Sequence, residues 1–146
     1  MSKFIQAFLT GIFFTFILDF FLFLGIKQNY TDFYEVGVYY NILFADHQNI
    51  IIFAIFSIII GTLVIYINNT KLAVIILSTL FFFSVSTLIP TIGHKVGEIL
   101  LMKKNVTYKN NTYTFTGDVY YDGRDKITFY DYELKKTILL DKKELK

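Results

Sequence analysis

Three long apolar runs dominate the pattern of hydrophobic and polar positions along this chain. They cover residues 4–26, 50–67 and 72–92, and each is followed by a stretch rich in polar residues. A bilayer core of about 30 Å requires roughly 20 helical residues at a rise of about 1.5 Å each. The runs therefore predict three transmembrane helices in an integral membrane protein.

The second and third runs are separated by only four residues, Asn-Asn-Thr-Lys. So short a link predicts that the two helices run antiparallel and side by side, as a tight transmembrane hairpin. Pro90 lies near the end of the third run. Because proline lacks a backbone donor, it is expected to kink or stop this helix.

Small and hydroxylated residues indicate which helix faces can pack together in lipid, where burying apolar surface gives no advantage. Ser57 and Gly61 form a small-residue pair on the second run, and Ser84 and Thr87 place hydroxyl groups on the third. We expect these four residues to contribute to helix packing. The alternative is that the hydroxyl groups bond only to carbonyl groups of their own helix.

The segments next to the predicted spans have the character of a membrane interface. Residues 27–49 mix acidic residues with tyrosine and phenylalanine, whose rings suit the headgroup level, so this segment is predicted to lie in the interface and to include a short helix. Residues 93–104 alternate apolar and charged side chains at helical spacing, which predicts an amphipathic juxtamembrane segment. Residues 1–104 thus form the predicted membrane domain.

From residue 105 the pattern changes to the alternation typical of strands. Residues 106–109, 112–121, 126–134 and 137–140 are predicted strands, with a turn at Asn110–Asn111, a turn at 122–125 and a bulge at Gly117. The predicted fold class is therefore α+β: three transmembrane helices followed by a small antiparallel β meander in residues 105–146. A sheet this small needs support from the interfacial segment, a second copy or a partner subunit.

Composition supports a membrane protein and excludes several functions. Hydrophobic residues make up 54% of the chain, and the mean hydropathy is +0.50. After residue 92 there are eleven basic and eight acidic residues, against three and four before it. Because the two signs are interleaved and the net charge is only +2, nucleic acid is not an expected partner. The absence of cysteine excludes disulfides and thiolate chemistry.

Residue usage and flanking charge bear on location. Abundant Ile, Phe, Lys, Asn and Tyr with no Trp favours an AT-rich bacterial source, and so a multi-pass protein of the bacterial cytoplasmic (inner) membrane. Lys3 before the first run favours an N-terminus inside, whereas Lys95, Lys103 and Lys104 after the third run favour the reverse. Because the first helix usually dominates, we expect the N-terminus inside and the C-terminal β domain outside.

Asp19 is the one acidic or basic residue within the three runs. A carboxyl group at the centre of a span costs about 2.5–3.5 kcal/mol on insertion scales, so such residues generally face the protein interior and have a role. Gly11, Thr15 and Asp19 recur every four residues and share one helix face, which is expected to meet another helix. The sequence leaves three roles open for Asp19: helix packing, docking to a partner, or part of a proton or ion path.

No spacing in the chain is typical of a catalytic set, a cofactor site or a metal site, since two histidines without cysteine are too few. We therefore expect a non-enzymatic protein that acts by association, as an accessory, assembly or scaffold subunit of a larger bacterial membrane complex. Its expected partners are the lipid bilayer and other membrane protein subunits or copies of itself. The alternative is a small oligomeric transporter or channel subunit with a polar path at Asp19.

Overall fold

The fold is described from a computed structural model, which covers residues 2–67, 69–110 and 112–145. This part of the chain forms five α-helices followed by a four-stranded antiparallel sheet, which confirms the α+β class and the antiparallel meander. The helices are α1 (Lys3–Ile26), α2 (Tyr40–His47), α3 (Ile50–Tyr66), α4 (Thr70–Ser86) and α5 (Pro90–Leu101). The strands are β1 (Lys103–Lys109), β2 (Thr114–Asp122), β3 (Lys126–Asp131) and β4 (Lys136–Asp141).

One helix of the described residues is long and apolar enough to cross a membrane by itself. It consists of α1 and the π-helical turn Lys27–Thr31 that continues it. The helices α3 and α4 have 17 residues each and are joined to α2 and α5 at bends of 85° and 89°. Counting each bent pair as one span raises the number of candidate spans to three.

The central element is α1, against which both α3 and α4 pack. Gly61 of α3 lies against Ala7, and Gln48 just before α3 bonds to Asp19, so α3 runs antiparallel to α1. The sequence predicted that α3 and α4 lie side by side, but each makes more contact with α1 than with the other. The link between them includes Asn68, which is outside the described residues.

Small residues allow α1 and α3 to approach until their backbones touch. A Cβ atom added at Gly11 would lie 1.8 Å from the carbonyl oxygen of Ser57, and one added at Gly61 would lie 2.0 Å from that of Ala7. Both distances are far below van der Waals contact, so neither position has room for a side chain. The small-residue pair Ser57 and Gly61 thus lies on the face of α3 that meets α1.

Pro90 begins a helix instead of kinking one. The α4 helix ends at Ser86, and Pro90 occupies the first turn of α5, where the missing N–H has no intrahelical partner to lose. The last residues of the third apolar run therefore belong to α5, which turns by 89° from the α4 axis. Gly93, Gly97 and Leu101 form the buried side of α5.

The sheet follows the chain in the order β1-β2-β3-β4. Its register shifts between Lys103 and Val106 and between Val119 and Tyr121. Gly117 pairs regularly on both sides, so the bulge predicted there is wrong; glycine is needed because a Cβ would lie 1.8 Å from the carbonyl oxygen of Tyr130. Asn111, half of the first predicted turn, lies outside the described residues. The core of the sheet consists of Val119, Ile127, Phe129 and Leu140.

The variant Gly11→Ala tests the close contact of α1 and α3. In an isolated helix alanine would gain up to about 1 kcal/mol over glycine. Here the added methyl overlaps the Ser57 carbonyl, so we expect a net loss of about 1–3 kcal/mol, seen as a lower thermal unfolding midpoint in detergent. The matched control is Gly37→Ala, where an added Cβ meets nothing within 4 Å. Equal midpoints for the two variants would contradict the contact.

Candidate functional site

Asp19 lies level with the ends of α3 and α4. On one side Gln48, at the bend between α2 and α3, donates its Nε2–H to Asp19 Oδ2 over 2.9 Å. On the other side the hydroxyl group of Ser84, close to the end of α4, donates to the carbonyl oxygen of Leu18. The carboxyl group is therefore placed near the ends of α3 and α4 and not midway along them.

The last turns of α1 continue beyond α3 and α4. Phe23 and Ile26 are buried in a cluster of protein side chains, together with Tyr30, Leu43 and Tyr121. These residues are apolar because they form a protein core. The sequence alone could not separate them from residues that face lipid.

The small-residue face predicted on α1 is shared between two environments. Gly11 and Thr15 are buried, Gly11 directly against α3. This part of the face meets another helix, as expected from the sequence, and that helix belongs to the same chain. Asp19 is only half-buried and lines a groove beside α3.

The hydroxyl groups of α4 and of the residue after it connect this helix to α1. Thr87 donates to the carbonyl oxygen of Phe21 over 3.1 Å and lies 2.7 Å from that of Ser84. With the Ser84 bond to Leu18, these contacts fix α4 against the second half of α1. Both alternatives foreseen for these hydroxyl groups, contact across helices and bonding within the helix, occur at Thr87.

A groove of about 520 Å³ opens between α3 and α4, with α1 as its floor. One end is polar and holds Asp19, His47, Gln48 and Asn49. The walls are apolar and come from Ile52, Phe53 and Phe56 on α3 and from Leu80 and Phe83 on α4. The groove is therefore amphiphilic, with hydrogen-bonding groups at the level of the helix ends and hydrocarbon below them.

The sheet is attached to a set of elements that we call the collar, which consists of the turn Lys27–Thr31, α2 and α5. Tyr30 is fully buried in the collar, and its hydroxyl group donates to the carbonyl oxygen of Tyr120 over 2.8 Å. The rings of Tyr34 and Tyr120 stack with centroids 4.0 Å apart. Tyr121 enters the same buried cluster, where burial, with a smaller contribution from the carboxylate of Asp46, raises its pKa to about 12.

One ion pair adds to this attachment, and two more join parts of the sheet region to each other. Arg124, in the turn between β2 and β3, pairs with Asp46 of α2 at 2.6 Å. At the end of β2, Asp122 pairs with Lys103 at 2.8 Å and with Lys142 at 2.6 Å. Burial opposes ionisation of Asp122, but the two lysines outweigh it and hold the pKa of the carboxyl group below its ordinary value. The support that the small sheet was predicted to need thus comes from the interfacial segment and α5.

His94 belongs to the collar and not to a metal site. Its Nδ1 lies 3.1 Å from the carbonyl oxygen of Asn29, and its Nε2 lies 3.8 Å from Glu98. Its ring packs edge-on against Phe33 at 4.6 Å. Within residues 2–67, 69–110 and 112–145, no three His, Asp or Glu side chains are grouped so as to hold a metal ion.

Sequence reasoning missed Gln48 and the tyrosines of the collar. Gln48 is 29 residues from Asp19 and outside every apolar run, so only the antiparallel register of α1 and α3 brings the two together. Nothing in the sequence distinguishes Tyr30 from the other tyrosines of the interfacial segment.

A comparison with protein-family models, with curated proteins and with solved structures found no match to this chain.

The variant Tyr30→Phe tests the attachment of the sheet, because it removes one hydrogen bond and keeps the buried ring. We expect a loss of about 1 kcal/mol, and hence about fivefold faster hydrogen–deuterium exchange of amides in β2 and β3. Tyr39→Phe is the matched control, since Tyr39 is 77% exposed. Unchanged exchange in Tyr30→Phe would show that the sheet is held without this bond.

Proposed function

We propose that the protein acts by association and not by catalysis, as an accessory, assembly or scaffold subunit of a larger bacterial membrane complex. The observation that carries this proposal is the attachment of the sheet to the collar through Tyr30, Tyr120 and Tyr121. A sheet held in this way keeps a constant height and orientation relative to the membrane helices. It is a fixed surface on which another subunit can dock.

The edge strand β4 is the surface that we assign to docking. It pairs with β3 on one side only, so its other side presents unpaired backbone groups, and Leu139 on this strand is 66% exposed. Unpaired edges accept an extended segment of another chain. The opposite edge, β1, carries Lys103, Lys104 and Lys109, and charges of this kind discourage strand pairing. The asymmetry favours β4 as the binding edge.

In this proposal α1, α3 and α4 each cross the bacterial inner membrane, and α2 and α5 lie at its surface beneath the sheet. The N-terminus lies inside the cell and the sheet lies outside, where β4 meets the extramembrane part of a partner subunit. The alternative, a transporter or channel with a polar path at Asp19, has less support. Most polar groups of the groove lie at one end, and its walls between α3 and α4 are apolar.

The variant Leu139→Lys tests docking at β4. Its side chain is exposed, so we expect a change below about 0.5 kcal/mol in the stability of the protein itself. A lysine on the binding edge should remove the co-purifying subunit from affinity preparations of native membranes. A photo-reactive amino acid at position 139 should cross-link to that same subunit.

The matched control is Leu134→Lys, which changes a leucine that is 53% exposed in the turn after β3. It should leave the co-purifying subunit in place, and a photo-reactive group at 134 should give a weaker adduct. If the wild-type protein is extracted as a lone monomer, or if both lysine variants retain the subunit equally, association through β4 is wrong.

A further inference from the structure

We propose that the groove at Asp19 binds one phospholipid whose headgroup carries a primary ammonium. This site is separate from the β4 edge and does not need a partner subunit; it rests on the part of the proposed function that places α3 and α4 in the membrane. The groove faces the space between α3 and α4, and its volume of about 520 Å³ lies within the range of about 300–1,000 Å³ typical of small-ligand sites.

The order of polar and apolar groups in the groove matches that of a lipid. Asp19 and Gln48 lie at the level where α3 begins and α4 ends. Phe53, Phe56 and Leu80 lie farther along the same helices, away from the collar. A phospholipid in the adjacent leaflet places its headgroup at the first level and its acyl chain along the second.

A lipid fits the groove better than a transmembrane helix of a partner does. The α5 helix turns by 89° at the end of α4, and its apolar residues Ile92, Val96 and Leu100 line the groove at the collar end. A partner helix has a diameter of about 10 Å and would continue towards the water through the position of α5. A lipid ends at its headgroup, so it does not have to pass through the position of α5.

The polar end of the groove offers acceptors for hydrogen bonds. Gln48 donates through Nε2 to Asp19 Oδ2, which leaves Gln48 Oε1 as an acceptor. Among the described residues, no other side chain donates to the Asp19 carboxyl group, so Oδ1 is a second acceptor. A primary ammonium supplies three donors and a positive charge, which complement both oxygens. A quaternary ammonium has no N–H group and gains only the charge.

Lipid selectivity of the full chain tests this site. The protein, purified in mild detergent and stripped of lipid, is titrated with phosphatidylethanolamine, phosphatidylcholine or phosphatidylglycerol of identical acyl chains, and bound lipid is counted by native mass spectrometry. We expect phosphatidylethanolamine to bind at least about tenfold more tightly than the other two. Asp19→Asn should abolish this preference, whereas Asp32→Asn, which changes an acid paired with Lys27 outside the groove, should preserve it.

A second pair of variants leaves Asp19 intact and keeps the test independent of its effect on folding. Ile52 lines the groove and Ile58 does not, yet both are exposed isoleucines of α3. Ile52→Trp should fill the groove and remove the bound lipid, whereas Ile58→Trp should not. The proposal is overturned if the three lipids bind equally, if Asp19→Asn keeps the preference, or if Ile52→Trp retains the lipid. A protein cross-linked at position 56 in native membranes, in place of a lipid, would also overturn it.

Discussion

The contact of α1 with α3 determines how the other helices are arranged. Because glycine has no Cβ, the two backbones can lie directly against each other at Gly11 and Gly61. A side chain at either position would not fit, so these glycines fix the register of α3 along α1. That register places the start of α3 beside Asp19, so Gln48 reaches the carboxyl group. A shift by one turn, about 5.4 Å, would separate this pair. The position of the groove and of its polar end thus depends on Gly11 and Gly61, although neither glycine lines the groove.

The same register explains how one helix serves two environments. Ahead of its last turns α1 packs against α3 and, in its second half, against α4; the last turns form a core with the collar, in which Ile26 and Tyr30 are fully buried. Tyr30 then bonds to the sheet. The sheet is therefore connected to the helices through the continuation of α1, and this connection supplies the additional burial that about forty residues of β structure lack.

Much of the fold is predictable from the sequence because it depends on local patterns. Apolar runs predict the helices, alternation predicts the four strands, and Ser57 with Gly61 indicates the packing face of α3. The depth of Asp19 is not predictable, because phenylalanine and isoleucine have the same pattern whether they face lipid or a protein core, as Phe23 and Ile26 show. The effect of Pro90 is hard to predict for a similar reason, since a proline can either end a helix or occupy the first turn of one, as it does here. The Asp19–Gln48 pair requires tertiary register and has no local signal.

The depth of α1 in the bilayer is the most direct test of this account. Because the chain contains no cysteine, nitroxide labels can be attached to single cysteines at the exposed positions Phe20, Ile51 and Ile58 in liposomes. Their depth is then measured by electron paramagnetic resonance from collisions with oxygen and with a water-soluble nickel complex. The account predicts that the label at position 20 lies as near the surface as that at 51, and that the label at 58 lies deepest. A label at position 20 as deep as that at 58 would contradict it.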